Sequence, residues 1–192
     1  MPDLFDFAPY RAKEKPQFDL AEVTPVELRG YINAYADTMH AIIADATDAD
    51  VVFVPSDPIA RDIVTEETDA WTVGHVVVHV TASSEEAGAL GLLLARDAAV
   101  PPELRSRYET LWTTITTAAQ VTDRLEDSRR MCLAMLDAWP NPPHLDAVVE
   151  HSYFGKMNAV VRVMLGLRHA DDHVEQLREI MRQAKAAGRV SV

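Results

Sequence analysis

Two pairs of histidines carry the strongest chemical signal in this sequence, because the members of each pair are four residues apart. His75 and His79 form the first pair, and His169 and His173 form the second. Residues four apart lie on the same face of an α-helix, so each pair can present two imidazoles in one direction. Imidazole nitrogen is a ligand for zinc, nickel, copper and iron. The spacing therefore allows two interpretations, a metal site or a set of hydrogen-bonded core histidines.

Helical phase places the second pair toward the protein interior. At about 100° per residue, His169 and His173 share a face with the apolar residues Leu165 and Leu177. The acids close to this pair, such as Asp171, point elsewhere and are expected on the solvated face. The two imidazoles are therefore expected to look inward.

The first pair occupies a similar face of an earlier helical segment. His75 and His79 share this face with Ala82, Ser83 and Glu86, and the small side chains one turn after His79 leave room for a ligand. Each unsatisfied buried polar group costs about 1–3 kcal/mol. Since the core faces of bundled helices meet, one shared metal ion could satisfy several imidazoles together.

Glu86 is the best inward-facing carboxylate, and it is the candidate catalytic residue. It lies seven residues after His79, which is about 10 Å along a helix. That distance suits contact with a substrate or with a metal ligand better than direct proton transfer at the metal. The alternative interpretation is an ion pair in the core with Arg162 or Arg129.

Four long helices must position these residues. The first begins at the capping box Thr24-Pro25-Val26-Glu27 and fades near 45–48. The other three are predicted over about 72–96, 113–138 and 157–187. Between them we expect a connection over 48–70 in which the apolar run 51–54 allows an extended segment, a short helix at 102–110 and a loop from 139 to about 155.

This pattern contains no convincing strands, so the predicted fold class is all-α, a four-helix bundle. We expect a single domain over residues 1–192, with an N-terminal arm over 1–23 and the bundle over 24–188. Residues 160–167 are apolar on several sides, more than one bundle core needs. We therefore predict either a homodimer through this helix or cover by the N-terminal arm.

Charge and composition exclude several function classes. The net charge is −12, and no Lys/Arg cluster is interleaved with aromatic residues, so nucleic acid and anionic membrane surfaces are not expected partners. The single cysteine, Cys132, can form neither an internal disulfide nor a Cys-rich zinc site. The N-terminal stretch is unlike a signal peptide, and no segment reads as a membrane span. We therefore expect a cytoplasmic protein.

Two segments resemble the signatures of the DinB-like superfamily of metal-binding bundles. The first is Trp71-Thr72 followed by His79 and then Glu86, and the second is FGKMNAVVRVMLGLRHADDHVEQL at 154–177, with its HxxxHxxQ spacing. The resemblance implies a four-helix bundle with a metal site formed by His79, His169 and His173. His75 falls where the superfamily has no ligand, whereas helical geometry leaves it a candidate fourth ligand.

The resemblance also implies a range of activities. Members bind zinc, nickel or another divalent metal ion, and some act as transferases or isomerases that use a low-molecular-weight thiol, whereas others are regarded as hydrolases. The predicted function is therefore a metal-dependent thiol transferase, isomerase or hydrolase with a small-molecule substrate. The alternative is a non-catalytic bundle that binds a metal or a small ligand.

Overall fold

Six α-helices and one small hairpin make up the regular structure of the described residues, which in this computed structural model are 4–56, 71–101 and 103–190. The helices are α1 (Ala8–Arg11), α2 (Pro25–Ile43), α3 (Asp48–Val51), α4 (Val73–Ala95), α5 (Ala118–Asp137) and α6 (Ala159–Val190). Two 3₁₀ turns cover Gln17–Glu22 and Trp112–Thr114, and the strands are β1 (Val149–His151) and β2 (Gly155–Met157).

The four long helices, α2, α4, α5 and α6, form the predicted bundle. Helix α4 packs against α5 and α6, and α2 packs against the same two helices from the other side. The order around the bundle is therefore α2, α5, α4, α6. The all-α prediction is confirmed, and the most extensive interface joins α4 to α6, the two helices that carry the histidine pairs.

Capping residues explain where the helices begin. Thr24 accepts a hydrogen bond from the Glu27 backbone N–H while the Glu27 carboxylate accepts from the Thr24 backbone, as the sequence predicts. Thr117 and Gln120 form the same arrangement before α5. The predicted start of this helix near residue 113 is therefore wrong, because the capping box sets the start at Ala118 and the preceding residues form a 3₁₀ turn.

The segment 103–111 is irregular, so the short helix predicted at 102–110 is wrong for these residues, and Pro102 lies outside the described part. The backbone N–H groups of Ser106 and Arg107 donate to Glu86 Oε1, at 2.5 and 2.8 Å. The Glu86 carboxylate thus accepts backbone hydrogen bonds that, in a helix, would be made to carbonyl groups of the segment itself.

Two connections also differ from the sequence prediction. Val51 ends the short helix α3 instead of starting an extended run, and residues 57–70 of the predicted connection lie outside the described residues. The predicted loop before residue 155 contains the antiparallel hairpin, in which Glu150 pairs with Lys156. Gly155 has a φ of 71°, which glycine adopts without strain, and His151 Nδ1 accepts backbone N–H bonds that close the turn.

The apolar side chains of 160–167 are buried within this one chain. Val160, Val161 and Met164 are fully covered, and the neighbours of α6 include α4, β2 and α2 as well as the Gln17–Glu22 turn of the N-terminal arm. The apolar surface that suggested a homodimer is therefore accounted for without a second copy, and the homodimer stays a prediction.

The arm itself contributes to the core. Phe7 and Tyr10 are buried, and Leu20 is completely covered, in the same cluster as the bundle side chains. Arg11 forms ion pairs with Asp171 and Asp172 of α6.

In the part of the chain that the structure describes, no helix combines the length and hydropathy that a membrane crossing requires.

Candidate metal centre

Small residues let α4 and α6 approach closely. A Cβ at Gly166 would lie 2.4 Å from the Ala87 Cβ, and a Cβ at Gly91 would lie 2.7 Å from a methyl group of Val163. These contacts run in opposite directions along the two helices, so the helices are antiparallel. The same interface continues to His79 on α4 and His169 on α6, whose Nε2 atoms are 2.9 Å apart.

Three imidazoles converge at this end of the interface. His79, His169 and His173 each offer a ring nitrogen, and the three nitrogens all lie within 4.8 Å of one another. The rings are mutually inclined, at 52° for His79 and His169, 69° for His79 and His173 and 76° for His169 and His173. The predicted helical phase of these three residues therefore brings them together as expected.

The cluster fits the donor set of a divalent transition metal. Ligand nitrogens around a tetrahedral zinc ion lie about 3.3 Å apart when each Zn–N distance is about 2.0–2.1 Å, which is compatible with the spacing of the three rings. Among the described His, Cys, Asp and Glu residues, the group contains these three members and no fourth. Three protein ligands leave a coordination position for water or substrate, as in catalytic zinc sites.

Two of the histidines are oriented by a second hydrogen bond. His79 Nδ1 lies 3.4 Å from the Glu109 carboxylate, and His173 Nδ1 lies 2.5 Å from the side-chain oxygen of Gln176. Both contacts leave Nε2 as the nitrogen directed at the cluster. Outer partners of this kind fix the tautomer and orientation of metal-ligating histidines.

Glu109 is held in its ionised form. Its hydrogen bond with His79 and the nearby charge of Arg107 hold the pKa of this carboxyl below its usual value, against the opposing effect of partial burial. Glu109 was not predicted from the sequence, because the residue lies in the irregular segment 103–111 and no spacing rule relates it to His79.

His169 remains neutral at physiological pH. Burial, followed by repulsion from His173 and His79, lowers the pKa of His169 to about 3. A neutral imidazole is the form that binds a metal ion, so a proton does not compete for this nitrogen near pH 7.

His75 is not a member of the three-histidine cluster among the described residues, and its suggested role as a fourth ligand stays a prediction. Its ring is stacked between two indoles, 4.2 Å from the Trp71 ring and 4.8 Å from the Trp112 ring. Trp71 also stacks on His173, with 5.6 Å between ring centroids. His75 therefore supports the wall of the site, and helical phase alone could not reveal its aromatic neighbours because Trp112 lies on a different segment.

Glu86 is buried about two helical turns beyond the cluster, and its carboxylate contacts other partners. Its Oε2 lies 3.4 Å from Arg105 and 3.5 Å from Arg162, while its Oε1 accepts the two backbone N–H bonds of the 103–111 segment. The predicted ion pair with Arg162 is confirmed, whereas Arg129 pairs with Asp37 and Glu126. These contacts make Glu86 a positioning residue for the segment that carries Glu109.

A polar pocket of about 200 Å³ adjoins the histidines. His169 belongs both to the three-histidine cluster and to the wall of this pocket. Ser83, predicted to leave room below His79, also lines it and accepts a hydrogen bond from Arg107. A small molecule in the pocket would therefore contact one of the three converging imidazoles.

Comparison with known families gives one match. The model of the family described as the DinB superfamily matches residues 34–177, a range that contains α4, α5, all three clustered histidines and the first part of α6. No curated protein and no solved structure matches the chain.

Proposed function

The chain belongs to the DinB superfamily, and we propose from that premise that it is a metal-dependent enzyme whose divalent ion is held by His79, His169 and His173. The observation that carries the proposal is the convergence of three imidazoles, with outer hydrogen-bond partners, beside a polar pocket. Zinc and nickel are the ions we expect, since both accept imidazole nitrogen.

The ion would supply Lewis acidity that lowers the pKa of a water molecule or thiol that reaches it. The chain's own residues do the rest of the work. Glu109 accepts the Nδ1 proton of His79, and Gln176 accepts that of His173, so both rings keep one tautomer. Trp71 packs against both rings and limits their rotation.

The reaction we favour joins a low-molecular-weight thiol to a small electrophile. The thiol loses its proton, its sulfur forms a bond to the electrophilic carbon, and the leaving group departs with that proton. Glu109 takes part indirectly, because its ionised carboxylate lies 3.4 Å from His79 Nδ1 and keeps Nε2 of that ring directed at the ion. Hydrolysis would use the same residues with water in place of the thiol.

Metal content is the first test of the proposal. Tag-free protein purified without chelator should contain about one equivalent of metal by mass spectrometry, and a His79→Ala/His169→Ala/His173→Ala variant should contain none. His144→Ala is the matched control, because His144 is an exposed loop histidine. Nickel added to metal-free protein should also quench the fluorescence of Trp71, whose ring lies 4.7 Å from the His79 ring.

Activity separates an enzyme from a binding protein. Thiol-dependent loss of an electrophile should occur with the metal-loaded parent and disappear in His169→Ala. If the parent binds one equivalent of metal but accelerates neither thiol transfer nor hydrolysis, the alternative of a non-catalytic metal-binding bundle replaces the proposal. If the folded parent does not bind added zinc or nickel, the histidines are ordinary core groups and the proposal is refuted.

A further inference from the structure

The pocket beside His169 is positively charged in a protein that is strongly negative overall. Three arginines and one carboxylate line the pocket, Arg105, Arg107, Arg162 and Glu86, whereas the whole chain carries a net charge of −12. A concentration of like charge against the sign of the rest of the molecule is unfavourable unless a ligand or a structural partner compensates it.

The partners within the chain compensate these arginines only in part. Glu86 Oε2 is shared by Arg105 and Arg162 at 3.4 and 3.5 Å, distances that are long for charge-assisted hydrogen bonds. Arg107 donates to Ser83 and lies 3.3 Å from Glu109. Each guanidinium has five N–H donors, so these contacts engage only a minority of the N–H groups of the three side chains.

Arg162 is the least solvated of the three. Its side chain is 16% exposed, and burial lowers the pKa of Arg162 from its ordinary value. Removing an arginine from water is costly, and the shared contact with Glu86 repays that cost only partly. An anion placed across Arg162 and Arg107 would supply the missing countercharge at low local dielectric, where the attraction is strongest.

The remaining walls define the body of the ligand. Leu104, Phe154, Met157 and Leu165 give the pocket apolar surface, and His169 is also part of its wall. A volume of about 200 Å³ admits a molecule of a few carbon atoms. The complementary ligand is thus short, apolar in the middle and anionic at one end.

We propose that this pocket binds the carboxylate of a small organic acid, which Arg105, Arg107 and Arg162 hold so that its other end reaches the three-histidine site. This inference rests on the proposed function in taking that site as the reacting centre. It adds the substrate class, because a carboxylate-bearing thiol or electrophile is selected over its neutral analogue. Guanidinium groups bind carboxylates in a bidentate manner, which favours arginine over lysine here.

A matched pair of probes tests the proposal. Calorimetric titrations would compare 3-mercaptopropionate with 3-mercaptopropionamide on zinc-loaded protein, and propionate with propionamide on zinc-free protein. We expect the acid to bind at least about tenfold more tightly than the amide in both series, as charge-assisted hydrogen bonds predict. In an Arg105→Gln/Arg107→Gln variant the preference should fall to about threefold or less.

Arg130→Gln is the control variant. Arg105 and Arg130 are equally exposed, at 68%, but Arg130 lies on α5 and pairs with Asp127 away from the pocket. The control should keep the full acid preference, and circular dichroism and urea unfolding would establish that each variant is folded. Equal affinities for acid and amide in the parent, or a preference that survives in the double variant, would overturn the proposal.

Zinc content, measured on the same samples, separates the two proposals. Protein that binds zinc without preferring the acid retains the proposed function and loses the carboxylate pocket. Protein that binds no zinc but prefers propionate in an arginine-dependent manner loses the metal function, and the pocket stands. Absence of both results refutes both proposals.

Discussion

Replacing Gly166 with alanine should push α4 and α6 apart. The new methyl carbon would lie 2.4 Å from Ala87 Cβ, more than 1 Å inside the ordinary carbon–carbon contact distance of about 3.5–4.0 Å. Neither atom is at the end of a flexible side chain, so the helices themselves must move. Overpacking destabilises the folded state by about 1–3 kcal/mol, and for a contact this short we expect a value at the upper end of that range. The better helix propensity of alanine returns about 1 kcal/mol, which leaves an expected net loss of about 2 kcal/mol.

Urea unfolding of Gly166→Ala, Ala87→Gly, the double variant and Gly30→Ala checks this value. Gly166→Ala should lower the free energy of unfolding. Adding Ala87→Gly should recover a large part of this loss, because it removes the Cβ methyl group with which the new methyl group clashes. The coupling between the two sites should be at least about 1 kcal/mol, within the range for residues in contact. Gly30→Ala is the control, since Gly30 lies within α2 with nothing within 4 Å of its added Cβ. This variant should gain about 0.5–1 kcal/mol.

The same substitution should also weaken the metal site, because Gly166 precedes His169 by one helical turn. We expect Gly166→Ala to lower zinc affinity about tenfold, by analogy with the loss of other groups that orient metal ligands, and Gly30→Ala to leave it unchanged. Parent-like stability in Gly166→Ala, or no rescue by Ala87→Gly, would refute the close-packed interface as the feature that sets the spacing of the histidines.

Three further predictions follow from individual contacts. Glu109→Gln should reduce metal affinity about 10- to 100-fold in a competition with a chelating dye, because it weakens the hydrogen bond that orients His79; an unchanged affinity would contradict that role. Cys132 should react with a thiol reagent only after unfolding, since burial raises its pKa to about 12, and rapid labelling of the native protein would argue against this. Although burial opposes it, the ion pair with Lys185 lowers the pKa of Asp50. This ion pair therefore stabilises the folded state fully above the ordinary pKa of 3.8, and the stabilisation is lost as pH falls through the lowered pKa. Asp50→Asn should reduce the free energy of unfolding by about 1 kcal/mol near pH 7. The variant should also lose less stability than the parent as the solution is made acidic.

Features encoded in local sequence were predictable. The capping box at Thr24 and the helical phase of His79, His169 and His173 depend on residues within one or two turns, and the structure agrees with both. The start of α5 could have been predicted from a capping box as well, because Thr117 and Gln120 have the required spacing. The run of threonines before it offered several competing starts.

Features that depend on distant contacts were not predictable. The irregular path of 103–111 follows from a carboxylate on α4 that takes the backbone hydrogen bonds of Ser106 and Arg107. That path in turn brings Glu109 to His79 and places Trp112 against His75. Helical periodicity relates residues of one helix only, so it could neither predict the position of Glu109 nor reveal the aromatic neighbours of His75.

The distance along the chain between the clustered histidines has a consequence for folding. His79 and His169 are 90 residues apart, so no complete set of ligands exists until α4 and α6 have docked. An ion would therefore act as a late cross-link and not as a folding nucleus. Loading should leave the refolding rate nearly unchanged and slow unfolding, because the contacts it adds are absent from an early transition state. Metal supply would then govern how long each folded molecule persists rather than how quickly it forms.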